Sequence, residues 1–232
     1  NFMDDIQHIF FDLDHTLWDF EKNSSEALRE IFVEMQLHDF IDNVDSFINT
    51  YQRINAKYWD LYNHGKVTKE KLRYIRFQDT LSEFKVIGAE KKAVLLGQNY
   101  IKRSPHKTNL FPDAHDTLQY LNEKYQLHII TNGFTEVQYI KLDNCGLTNY
   151  FDLILCTEEV GVNKPNPLVF NTALSRANAN ASQSLMIGDN PETDIRGAQN
   201  CAMHTVLFNP HQHLHDVNSI EIQGLKELRD LL

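Results

Sequence analysis

Short, almost wholly apolar runs recur along the chain at residues 6–11, 127–131, 153–156, 185–187 and 205–208. Their uniform rather than alternating hydrophobicity is the pattern of strands buried on both faces. Before and between the last four lie segments with helical spacing of apolar residues, at 113–125, 136–145, 168–178 and 192–201. Pro112 and Asp113 supply a chain break and a first-turn acid for the first of these. Gly146 follows the second, where a left-handed residue ends a helix at little cost. Strands alternating with helices imply parallel pairing through right-handed crossovers. The predicted fold is therefore α/β, a doubly wound parallel sheet with helices on both faces.

Residues 18–106 interrupt this rhythm. They carry helical periodicity at 24–37, 45–63, 68–84 and 89–103 and almost no strand signal. A block of that length is too long for a crossover. The pattern predicts a helical domain spanning 18–106 inserted into a core domain made of 1–17 and 107–232, the division expected of a chain of 232 residues.

Composition narrows the function. A formal charge of -10 disfavours a nucleic-acid polymer as partner, because such binding draws on clustered Lys and Arg. It leaves room for a small anion held by a local cation. No apolar run approaches the roughly 18 to 20 residues of a membrane span, and no leader pattern opens the sequence, so a cytoplasmic location is expected. Cys145, Cys156 and Cys201 are odd in number and lack metal-site spacing, and they are expected as small buried residues. The signatures of dinucleotide, P-loop, serine-hydrolase and zinc-protease sites are all missing.

Ligands of doubly wound sheets bind beyond the carboxyl ends of the strands. That rule singles out Asp12 to Thr16, Thr131-Asn132-Gly133, Asn163-Lys164-Pro165 and Gly188 to Asp194. Asp12 and Asp14, two apart at a strand end, are expected to point the same way and to need a cation or a shared proton. With a magnesium ion beside it, Asp12 is the candidate nucleophile, and Asp14 the candidate general acid and base. The Thr131 hydroxyl, with the backbone amides of Asn132 and Gly133, is placed to grip phosphate oxygens. Lys164, biased towards extended backbone by Pro165, is the candidate phosphate-binding cation. The Asp12 carboxylate, the Asp14 carbonyl and Asp189 make a hard-oxygen set suited to Mg2+. Asp194 is either an outer-shell residue of that metal or a helix N-terminal acid.

These residues, DxDxT at Asp12, Asp14 and Thr16, the strand-end Thr131, Lys164 before Pro165, and GDxxxxD at Gly188, Asp189 and Asp194, resemble the four motifs of the haloacid dehalogenase superfamily in order. Residues 10–20, 130–135 and 158–165 look more closely like the YjjG/YfnB-type pyrimidine 5'-nucleotidases. The resemblance implies a Rossmann-like core, a helical C1-type cap, bound magnesium, an aspartyl-phosphate intermediate and a nucleoside monophosphate substrate. Alternatives are a sugar-phosphate phosphatase, a phosphomutase, a dehalogenase or a non-catalytic binding module. Asp14 argues against a dehalogenase, which needs no proton for its leaving group, and the retention of Asp12, Asp14, Lys164 and Asp189 argues against a binding module.

Two features stand outside the motifs. Tyr58, Trp59 and Tyr62 cluster at helical spacing in the insert, as its core or as a face for a planar base. His211, His213 and His215 alternate near the end, where a solvated loop is favoured over a transition-metal site.

Overall fold

A computed structural model describes residues 2–232. The chain clusters into two compact units, Asn1–Asp19 with Thr108–Leu232, and Phe20–Lys107. The first is built on six parallel strands, β1 (His8–Phe11), β2 (Gln126–Thr131), β3 (Phe151–Cys156), β4 (Ser184–Gly188), β5 (His204–Phe208) and β6 (Ile220–Ile222). Their order is β3-β2-β1-β4-β5-β6. Order reverses between β1 and β4, which is where such sheets open a crevice at their carboxyl ends. The registers Phe11↔Ile129 and Phe11↔Ile187 bring the ends of β2 and β4 level with that of β1.

The second unit contains α1 (Phe20–Glu34), α2 (Val44–Asn63), α3 (Lys69–Glu83) and α4 (Ala89–Arg103). The side chain of Asn43 accepts from Asp45 and Ser46 amides and that of Thr68 from Lys71, so donors left open by the first turns of α2 and α3 are satisfied. Leu28, Ile31, Phe47, Tyr51, Phe77 and Leu96 are among the residues of its own hydrophobic core. Arg76 is also shut in, donating to Asn55 Oδ1 at 2.9 Å and lying 5.1 to 5.8 Å from the ring centres of Tyr100, Phe77 and Tyr51. Tyr58 is buried and donates to Asp79; burial first, then this partner, pushes its hydroxyl up to about 12. Trp59 and Tyr62 are half-buried and meet edge-on, 5.4 Å between ring centres.

Returning to the sheet unit, α5 (Ala114–Asn122), α6 (Thr135–Asn144) and α7 (Pro167–Arg176) connect the strands. Phe10, Ile130, Leu155 and Met186 pack with Val169, Phe170 and Ala173 of α7 on one face of the sheet. Ile9, Phe11, Leu127 and Ile129 alternate with them on the other face and are equally buried. Buried in the same sheet, His8 Nδ1 lies 3.0 Å from His128 Nε2; burial, then the His8 charge, pushes His128 down to about 4.

The structure differs from the sequence-based expectation at several points. Asp113 is not a first-turn acid but precedes α5 with a left-handed φ of 66°. Gly146 does end α6, at φ 67°, with the Leu147 amide on the Leu142 carbonyl. The helix expected over 192–201 starts as a π-helix, Pro191–Arg196, before Gly197–Gln199. Cys145 and Cys156 are buried, whereas Cys201 is half-buried. The three histidines occupy a loop in which His215 Nε2 lies 2.7 Å from Glu221. Among the described residues, no helix is long and apolar enough to cross a membrane.

Candidate active site

Asp12 is the first residue beyond β1, and its amide bonds the Ile187 carbonyl at 2.9 Å, continuing the ladder one residue past the strand. The chain then turns sharply. Leu13 O accepts from the Leu17 and Trp18 amides, and His15 takes a left-handed φ of 64°. The turn sends the two aspartate side chains to different partners. Asp12 Oδ1 accepts from Lys164 Nζ at 3.1 Å, while Asp14 accepts from Lys141 Nζ at 2.8 Å and Gln138 Nε2 at 2.9 Å. The expected crowding of two carboxylates on one cation is therefore relieved by a second cation on α6. Thr16, fully buried, donates its hydroxyl to Asp189 Oδ1 at 3.1 Å.

Asp189 leaves β4 beside this turn. Next to it Asp194 is fully buried, and its carboxylate accepts from Lys164 Nζ at 2.6 Å and from the Asn190 amide at 3.1 Å. This is not the solvated position of a simple helix N-terminal acid. Its inward pull accompanies the π-turn, in which the Ile195 amide reaches back to Asn190 O. Gly188 makes room for it, since a Cβ there would lie 2.3 Å from the Asp194 carboxylate.

Lys164 is sealed from solvent, and its ammonium also donates to Ile130 O at 2.8 Å. Burial pulls its proton affinity down, but the charges of Asp12 and Asp194 outweigh it and hold the group above the ordinary lysine range. The Lys164–Pro165 peptide is cis. The side chain of Asn132 grips both backbone polar groups of Lys164, accepting from its N–H at 2.9 Å and donating to its carbonyl at 3.1 Å. Asn132 thus uses its side-chain amide to place the lysine. Thr157 donates to Asn163 at 2.7 Å, and Glu158 accepts from the first amide of α6 at 2.8 Å, so the loop before Lys164 is fastened at several points.

Thr131 ends β2, and its Oγ accepts from the Gly133 amide at 3.1 Å and from Gln138 Nε2 at 2.7 Å. A hydroxyl that accepts twice keeps its own proton for a further acceptor.

Oxygens of Asp12, Asp189 and Asp194 all lie within 4.8 Å of one another, the metal-capable group among the described residues. Three carboxylates facing one lysine leave a surplus of two negative charges. Burial, then the Asp194 charge, raises Asp12 well above the carboxylate range and pushes Asp189 up to about 7. Hard oxygen donors with that surplus fit a divalent cation.

The structure therefore brings Asp12, Asp189, Asp194 and Lys164 into one cluster, joins Asp14 and Thr131 through Gln138, and sets Asn132 behind Lys164. Gln138 and Lys141 lie outside the motifs that the sequence singles out. Their only signal in the sequence is two polar residues three apart, sharing one face of α6.

The profile of the haloacid dehalogenase-like hydrolases matches residues 9–208. The pyrimidine 5'-nucleotidase YjjG of Escherichia coli is 33% identical, over 97% of this chain and 96% of its own. The ribulose-1,5-bisphosphate 5-phosphatase of Halopiger xanaduensis is 31% identical, over 97% and 98%. The HAD-hydrolase YfnB of Bacillus subtilis, solved bound to magnesium and showing interdomain movement, superposes with a TM-score of 0.88 at 30% identity, over 97% and 98%.

Proposed function

The chain belongs to the haloacid dehalogenase-like hydrolase family, and on that premise we propose that it is a magnesium-dependent phosphatase of pyrimidine nucleoside 5'-monophosphates. The observation that carries the reading is the partly buried cluster at the strand ends, where Asp12 meets Lys164 and two further carboxylates. Asp12 attacks phosphorus and forms an aspartyl phosphate. Asp14 hands a proton to the departing alkoxide oxygen, then takes one from the water that attacks the intermediate. The Thr131 hydroxyl and the backbone at Asn132 and Gly133 face the nonbridging oxygens, and Lys164, its donors placed on Asp12, Asp194 and Ile130 O, adds the positive charge that such a site must supply. Asp12, Asp189 and the Asp14 carbonyl would hold magnesium, with Asp194 behind them. When bound, that ion supplies charge neutralisation around the phosphoryl group.

Substrate class is the finer step. Relatives of nearly equal identity act on a pyrimidine nucleotide and on a bisphosphorylated sugar, so identity alone does not choose. Two relatives, YjjG at 33% identity and PynA of Streptococcus pneumoniae at 31%, are pyrimidine 5'-nucleotidases, and they favour a nucleoside monophosphate. A dehalogenase is disfavoured by Asp14, since a halide leaves without a proton. The test is hydrolysis of UMP, dUMP, dTMP, AMP, a hexose phosphate and p-nitrophenyl phosphate with magnesium and with EDTA. Pyrimidine monophosphates should lead, and chelation should abolish turnover. A sugar-selective profile would overturn the nucleotidase reading, and full activity without metal would overturn the site.

A further inference from the structure

α6 presents two buried polar side chains to the Asp14 turn. We propose that Gln138 and Lys141 are positioning residues for the leaving-group half of the reaction: together they fix the place and plane of the Asp14 carboxylate. The inference rests on Asp14 being the proton carrier of the proposed phosphatase.

Each carboxylate oxygen of Asp14 has its own donor from the same helix. Lys141 Nζ lies 2.8 Å from Oδ1 and Gln138 Nε2 lies 2.9 Å from Oδ2. Two donors on a rigid helix define the plane of a carboxylate, where one would leave it free to swivel. The donors are themselves immobilised. Gln138 is fully buried and packs against Gly133, where a Cβ would lie 2.3 Å from its amide. Lys141 is 4% exposed, its ammonium 4.2 Å from the centre of the Trp18 ring, and Trp18 is bridged to Asp14 through the backbone.

Gln138 does a second thing. Its amide nitrogen also donates to Thr131 Oγ at 2.7 Å, so one NH2 group joins the residue that protonates the leaving oxygen to the residue that grips the phosphate. Gln138 Oε1 is buried with no hydrogen-bond partner, and an apolar residue of similar size would fill the space without that penalty. A polar group retained at such a cost is accounted for by what it holds in place.

A proton donor matters most when the leaving group is a poor one. Nucleoside alkoxide needs the proton as the P–O bond breaks, whereas p-nitrophenolate leaves without it. The test is single-turnover kinetics with magnesium on UMP, or on the best alkyl phosphate found, and on p-nitrophenyl phosphate. Wild type, Asp14→Asn, Gln138→Leu, Lys141→Met and Lys141→Arg are compared. Lys141→Met is the cleaner probe because Gln138 also donates to Thr131 Oγ, one of the proposed phosphate-binding groups. It should slow the first turnover of the alkyl ester by about 10-fold or more while leaving the nitrophenyl ester within about 3-fold and KM little changed. Lys141→Arg should recover part of the loss. Equal losses on both esters, or no loss, would overturn the proposal. If Asp14→Asn discriminates between the esters and the α6 variants do not, only the positioning role fails. If Asp14→Asn does not discriminate either, the role of Asp14 in the proposed function fails, and the positioning role with it.

Discussion

In the sheet unit Lys164 is shut from solvent together with Asp194 and pairs with the half-buried Asp12, with Asp189 alongside, whereas in the helical unit Arg76 is shut in beside Asn55 and the rings of Tyr51, Phe77 and Tyr100. Both are buried cations, but their surroundings differ in kind. Aromatic faces and one amide oxygen suit a planar, weakly hydrated guanidinium, and the result is a packed core. Three carboxylates around one ammonium overshoot neutrality and raise the proton affinity of Asp12 and Asp189, with burial as the larger cause. Such an excess is hard to justify by folding alone and is what a site for a cation and a phosphoryl group requires. Substitutions in the first setting should therefore strike activity, and in the second, stability.

The largest expected effect is at Asp12. Asp12→Asn should lower turnover by on the order of 10⁴-fold or more, as for other lost nucleophiles, with the melting temperature changed by only about 3 °C or less. Unfolding of the variant, or near-normal turnover, would erase the contrast. Next comes Phe77→Ala, which empties part of the helical core and should cost about 3–5 kcal/mol in denaturant unfolding. The folded variant should keep its rate on p-nitrophenyl phosphate within about 3-fold, and an unchanged stability would contradict the packing.

A smaller effect is expected from pH. The folded value of His128 is depressed from 6.5 to about 4, so the unfolded chain takes up the proton first. Its contribution to stability is complete above about 6.5 and is lost as pH falls towards 4. Between about pH 7.5 and about pH 5, wild type should lose roughly 2 kcal/mol more than His128→Phe in denaturant titrations, and equal losses would refute the assignment. The smallest effect belongs to the exposed pair of Arg53 with Glu83, whose two contacts are 2.6 and 2.7 Å. Arg53→Ala should change stability by less than about 1 kcal/mol, measured the same way.

How far the sequence carries depends on the range of the forces involved. β1, β2, β4 and β5 are legible because each is an apolar run that stops at polar residues. β6 is not, since its three residues include Glu221 and are stabilised by pairing with β5 rather than by their own pattern. Thr68 and Gly146 announce helix ends locally, but the π-turn at 191–196 accompanies the ion pair of Asp194 with Lys164, 30 residues away. The strand-end residues of the candidate site follow from topology. Gln138 and Lys141 do not, because their partner Asp14 lies 124 and 127 residues earlier, and spacing on a helix says nothing about what its polar face will meet.

The central claim is that phosphorus is transferred to Asp12. It is tested most directly by mixing the enzyme with magnesium and substrate, quenching within the first turnover, and reducing with borohydride, which converts an aspartyl phosphate to homoserine. Peptide mass spectrometry should then find homoserine at position 12 in wild type and not in Asp12→Asn. Product formed at the normal rate with no modification at position 12, or with the modification at another carboxylate, would contradict the account.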